Sequence, residues 1–196
     1  MSDFEQQQPV TQDDDFLALT EQALLDEEEI SLIHGISLQI ENACFAKIEI
    51  EDSRFENCTF QTCDFANAAF VDVIFESCDL SNSVFQNAYF KGCKFISCKC
   101  IGANFQDTII KQTVFEDDNL QYTFFDKTKM ADIVFRRVDF SEASISEATL
   151  KNFKSTESKF IKNNFFKTRL AKIDFTTSEL KMPMVSFPPT ELQGIV

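Results

Sequence analysis

His34 is the only histidine among 196 residues, tryptophan is absent, and tyrosine occurs twice. A nucleophile, base or metal set has little to be built from, and His34 has no patterned partner. No Walker loop, GxGxxG turn or HExxH helix is present. The seven cysteines contain no CxxC pair, which removes zinc knuckles and thioredoxin-type redox motifs. Apolar runs are only a few residues long, far short of the ~20 needed to span a bilayer. The start, MSDFEQQQPVTQDDDFLALT, is acidic and lacks a basic n-region and an apolar h-region. It does not read as a secretory signal, and a cytoplasmic address is expected. No catalytic, cofactor-binding or metal-binding residue is assigned, and no enzyme is expected.

What is abundant is phenylalanine, 23 residues of it, placed by rule. Every fifth position from Phe45 to Val185 gives 29 sites, of which 17 are Phe and only Cys100 and Ser155 are not large and apolar. The residue two places earlier is usually small: Ala43, Cys58, Cys63, Ala68, Cys78, Ser83, Ala88. A helix advances 100° per residue and a strand alternates sides, so neither keeps a five-residue repeat on one face. The chain can bury every site only by turning a quarter circle each pentapeptide, giving square coils of 20 residues. Coils stacked by strand pairing at ~4.8 Å would make seven coils about 34 Å long. At Phe153-Lys154-Ser155 the large and small positions are exchanged, so Phe153 is expected to supply the volume missing at Ser155. Asp118 and Asn163 fall in small inward columns, where bonds to neighbouring backbone are expected. The cysteines read as small buried hydrophobes.

This frame resembles the pentapeptide repeat family, consensus A(D/N)LXX, over about 145 of the 196 residues. The resemblance implies an all-β fold, a right-handed quadrilateral β-helix. Residues 1–12 are expected to be a disordered acidic N-terminus, and 13–40 a helical cap with a lead-in strand. Residues 41–185 form the repeat of about seven coils, and 186–196 an exit segment, where Pro188-Pro189 ends any strand. In the cap, Phe16, Leu17, Leu19, Ala23, Leu24 and Leu25 stand at near-helical spacing behind an acidic first turn.

The net charge is −14, with 15 acidic and two basic residues in 1–60 but eight basic and three acidic in 151–181. That balance argues against direct nucleic-acid contact and for basic protein surfaces. Reading columns at period 20 places Glu51, Asp52 and Asp72, with Asp132, along one corner and Glu56, Glu76, Glu116 and Asp117 along the next. Together these form a candidate partner-binding acidic strip. A candidate apolar patch comprises Ile74, Val114 and Val134, facing outward on one side, with the large aromatics Tyr122 and Phe124.

KGCKFISCKCIGANF (91–105) and SFPPTELQGIV (186–196) resemble segments of the Qnr-like quinolone-resistance branch of Gram-positive bacteria. That resemblance implies a non-catalytic DNA mimic that binds the type II topoisomerases DNA gyrase and topoisomerase IV and protects them from quinolones. Carboxylates on a rod would stand in for phosphates. The branch also suggests a homodimer through the C-terminal end. The alternative is a general protein-interaction scaffold or regulatory rod unrelated to topoisomerases, for which the basic C-terminal coils speak. The unbroken frame leaves no room for the projecting loops of some Qnr-like members.

Overall fold

The computed structural model describes residues 7–170, 173 and 175–185. A parallel β-solenoid of about eight turns carries one short helix. The corners explain how the chain turns. Among the described residues, every non-glycine residue with positive φ, from Glu27 to Met182, has a number ending in 2 or 7. One left-handed residue per pentapeptide redirects the backbone, and Asn or Asp, which tolerate that region, fill 11 of the 28 such places. Other corners add an Asx turn. Asp64 Oδ1 accepts from the Ala66 N–H at 2.8 Å, and Asn104 Oδ1 from the Gln106 N–H at 2.9 Å.

We number the sides by their inward residues: first (45, 65, 85), second (50, 70, 90), third (55, 75, 95) and fourth (60, 80, 100). On the second and third sides, residue i pairs in parallel with i+20, as in Phe70↔Phe90↔Ile110 and Phe75↔Phe95↔Phe115. The stacked rings fill the interior. Phe65–Phe85, Phe85–Phe105 and Phe105–Phe125 lie 5.1, 4.8 and 4.6 Å apart and within 10° of parallel. All frame residues from Phe45 to Phe175 are buried except Leu150, which is partly so.

The exchange at 153–155 is borne out. Ser155 is buried, and the Phe153 ring sits 5.0 Å from Phe135 at 61°. It also turns Phe135, which meets Phe115 at 69° where Phe95 and Phe115 stack at 4°.

Three expectations at the N-terminal end change. Gln8–Val10 (β1), placed in the disordered segment, pairs in parallel with Ile33–Gly35 and covers the first edge of the third side. Residues 1–6 and the exit segment 186–196 lie outside the described residues. The coil begins at Ile30 rather than residue 41, because Ile30↔Ile50 and Gly35↔Phe55 already pair in register. Gly35 hides the frame: a Cβ there would sit 2.6 Å from the Phe55 ring. The helix Asp13–Asp26 (α1) buries Phe16, Thr20 and Ala23, while Leu17, Leu19 and Leu25 are exposed. Phe16 plugs the coil end, with its ring 5.8, 5.7 and 5.7 Å from Phe45, Phe55 and Phe60. No helix among the described residues is long and apolar enough to cross a membrane.

Candidate protein-interaction surfaces

The two acidic corners differ in chemistry. After the third side, the Glu56 carboxylate lies 2.6 Å from Arg54 Nε and 3.3 Å from His34 Nε2, and Glu76 also meets Arg54. Higher on the same corner, Arg137 takes Asp117 in a fork at 2.6 and 2.8 Å and Glu116 at 2.7 Å. Arg136 reaches Glu116 at 3.2 Å. Hydrogen bonds from Arg137, then Arg136, hold Glu116 below its ordinary range, and Arg137 does the same for Asp117. The upper part of this corner is charge-neutralised and does not extend the acidic strip, whereas in the lower part Glu56 and Glu76 share Arg54. Because Arg136 and Arg137 stand 20 residues after Glu116 and Asp117, reading cations in the same columns would have shown it.

Between the second and third sides, Glu51, Asp52 and Asp72 have no cation within salt-bridge distance among the described residues. Partial burial, then the charges of Glu29, Asp52, Glu49 and Asp72, raise the Glu51 carboxyl above its ordinary value. A carboxylate pushed up by like charges marks an uncompensated negative potential. Asp132, on the same corner, stands apart and accepts a 2.7 Å bond from Asn152.

The apolar patch separates. Ile74 is buried, flanked in register by Arg54 and Lys94, while Val114 and Val134 adjoin each other partly buried. Phe124 stands ten residues after Val114, half a coil, and therefore on the opposite, first side. It and Tyr122 are about half exposed, and Phe166, Met182 and Met184 are exposed on the same side and its corner. Column reading did not single out these last three: Phe166 directly follows the frame residue Phe165, and Met182 and Met184 flank Pro183.

Inside, Cys58, Cys78 and Cys98 stack on the third-to-fourth corner, and hydrogen bonds with its two neighbours, then burial, push the Cys78 thiol far up. Cys44 is exposed, contrary to its expected burial. Polar side chains at small inward sites bond backbone in two ways. Thr108, Thr123, Thr128, Ser53, Thr113 and Ser158 donate two or three residues back, and eight others reach the coil below. Cys58, Cys63, Cys78, Ser83, Cys93, Cys98, Asn163 and Thr168 each donate to the carbonyl 23 residues earlier. Asn163 thus bonds backbone as expected. Asp118 does so by one oxygen: Oδ1 accepts from the Cys98 N–H at 2.6 Å, and the buried Oδ2 has no partner. Burial, reinforced by Asp117 and Glu116, pushes its pKa up to about 8.

A family model for a pentapeptide repeat region matches residues 88–165, and a model of the SV2A/B/C luminal domain matches residues 32–105. No curated protein matches the sequence. Among solved structures, full-length QnrB1, a plasmid-mediated fluoroquinolone resistance protein, is similar at 16% identity and a TM-score of 0.53. The match covers 78% of this chain and 93% of that one. The pentapeptide repeat protein Rfr23 from the cyanobacterium Cyanothece 51142 is 14% identical, with a TM-score of 0.48, over 71% of this chain and 95% of that one. HetL, a pentapeptide repeat protein involved in heterocyst differentiation regulation from Nostoc sp. strain PCC 7120, is 11% identical, with a TM-score of 0.36, over 84% and 90%. At these identities the QnrB1 likeness establishes the fold.

Proposed function

We propose that this chain is a non-catalytic, cytoplasmic pentapeptide-repeat rod that binds a basic protein surface through its N-terminal acidic corner. The observation carrying this reading is the cluster of Glu49, Glu51, Asp52 and Asp72, with Glu29, none ion-paired among the described residues, beside a second corner where Arg54 meets Glu56 and Glu76 and Arg136 and Arg137 hold Glu116 and Asp117. Neighbouring coils fix the vertical spacing at ~4.8 Å, so the carboxylates are presented without a large ordering cost.

The partner we assign is a type II topoisomerase, whose DNA-binding saddle is basic; the carboxylates occupy it as DNA phosphates would. The reading is supported by the local segments at 91–105 and 186–196 and by a fold of the QnrB1 kind. It is tested by gyrase supercoiling with a fluoroquinolone present, titrating the protein from below to above the enzyme concentration. Restored supercoiling at low protein, lost in Glu51→Lys/Asp52→Lys/Asp72→Lys, supports it. No effect on gyrase or topoisomerase IV overturns the topoisomerase assignment. A scaffold unrelated to topoisomerases is the second reading. It is favoured by Tyr122, Phe124, Phe166, Met182 and Met184, exposed together on the first side and its corner. Tyr122→Ser/Phe124→Ser would then abolish partner capture while acidic reversals leave it intact.

A further inference from the structure

Six cations on this rod follow a stacking rule. Lys99, Lys159, Lys162, Lys167, Arg136 and Arg137 each stand one coil above an acid and pair with the residue 20 places earlier. One stretch of surface gathers six lysines that do not follow it. Lys91, Lys94, Lys111, Lys129, Lys151 and Lys154 are all exposed, and none has an ion pair among the described residues. They lie on the second side and the adjoining half of the third.

Their coil neighbours among the described residues are aliphatic or cationic, apart from Thr149 beside Lys129. Lys91 stands over Val71 and under Lys111, Lys94 over Ile74, Lys129 over Ile109, Lys151 over Ala131 and Lys154 over Val134. Asp132, at the adjoining corner, is engaged by Asn152, and Lys111 Nζ lies 5.5 Å over the Tyr89 ring. At the upper end, a depression of about 500 Å³ is lined by Val134 and Phe153 together with Asp132, Asn152 and Lys154.

We propose that this lysine face is a second interaction surface, independent of the acidic corner, that docks an acidic protein segment with an apolar anchor residue. The unpaired ammonium groups call for carboxylates, and the Val134–Phe153 depression calls for one apolar side chain. Spacing agrees. Three coil steps from Lys91 to Lys151 span about 14 Å, which alternate residues of an extended chain cover in about four residues. A nucleic-acid strand fits less well, because the apolar Val134–Phe153 depression has no use for a phosphate.

The probe is a fluorescein-labelled peptide of about twelve residues alternating Glu and Leu, read by anisotropy at low and high salt. An all-Glu peptide and a single-stranded DNA of equal length serve as comparisons. The Glu/Leu peptide is expected to bind best. Its Kd should rise about tenfold or more in Lys111→Glu/Lys151→Glu and about fivefold in Lys154→Glu. Val134→Asp should weaken the Glu/Leu peptide towards the all-Glu level, with circular dichroism confirming that the coil persists. Glu51→Lys/Asp52→Lys should leave peptide affinity unchanged, which separates this surface from the acidic corner. Affinity unaltered by the lysine reversals, equal binding of the all-Glu peptide, or preference for DNA each overturns the proposal.

Discussion

Asp118→Asn should make this protein more stable, increasingly so as the solution becomes alkaline. Eight side chains at equivalent inward sites donate to the carbonyl 23 residues back, which for Asp118 is Phe95. An ionised carboxylate has no proton to give, whereas a neutral carboxyl or an amide does. With its pKa pushed to about 8, Asp118 keeps its proton at neutral pH in the folded chain and loses it near 3.8 when unfolded. Across that window the native state binds the extra proton, so stability falls as pH rises from about 4 to about 8 and is level above. At about 1.4 kcal/mol per unit, four units correspond to roughly 6 kcal/mol. Relaxation of the coil and water entry reduce what is realised to about 2–3 kcal/mol.

Urea denaturation of both proteins at intervals from about pH 5 to about pH 9 reads the difference directly. The two stabilities should converge at the acid end and separate by that amount at the alkaline end. The Asp118 carboxyl ¹³C shift of the folded protein should titrate near 8. Parallel profiles, or an Asn variant weaker at every pH, would refute the reasoning.

Phe153→Ala should cost about 3–4 kcal/mol in denaturant titration, and adding Ser155→Phe should recover most of it by restoring the frame. A double variant no better than the single would mean that the two sites do not share one volume. Gly92→Ala should destabilise by about 1–2 kcal/mol, because φ is +68° and the new Cβ would meet Asp72 Oδ1 at 1.9 Å; unchanged thermal unfolding contradicts this. Arg137→Ala should let the Glu116 and Asp117 pKa values rise. Their contribution is present above the unfolded carboxylate pKa and lost as pH falls through the lower folded value, so the variant should lack part of the wild-type acid-side slope.

The interior was legible because its rule is local: one large residue in five, one small residue two places before. Even the fault at Phe153 and Ser155 could be read, since volume lost and volume gained lie two residues apart. The start of the coil was not, because Gly35 occupies a frame position whose space Phe55 takes from the next coil. β1 is three residues long and has no period to detect. The surface was harder for a different reason. Whether Glu116 presents negative charge depends on Arg136 and Arg137, a full coil away in sequence, and on which way their guanidinium groups fold. Tyr122 and Phe124 look adjacent to Val114 along the chain, yet half a coil puts them on opposite walls.

The left-handed corners have a bearing on how the molecule can change. A residue there strains an ordinary L side chain by about 1 kcal/mol, and glycine would relieve it. Leu32, Thr62, Tyr122 and Arg137 nevertheless hold such positions, while Gly92 and Gly102 are the only two glycines that do among the described residues. Each of these side chains is therefore kept where a smaller residue would make the scaffold sturdier. The walls of the coil answer to packing, but the corners are free to vary in sequence at a modest cost in stability. New binding specificities can arise there while every phenylalanine stays in place.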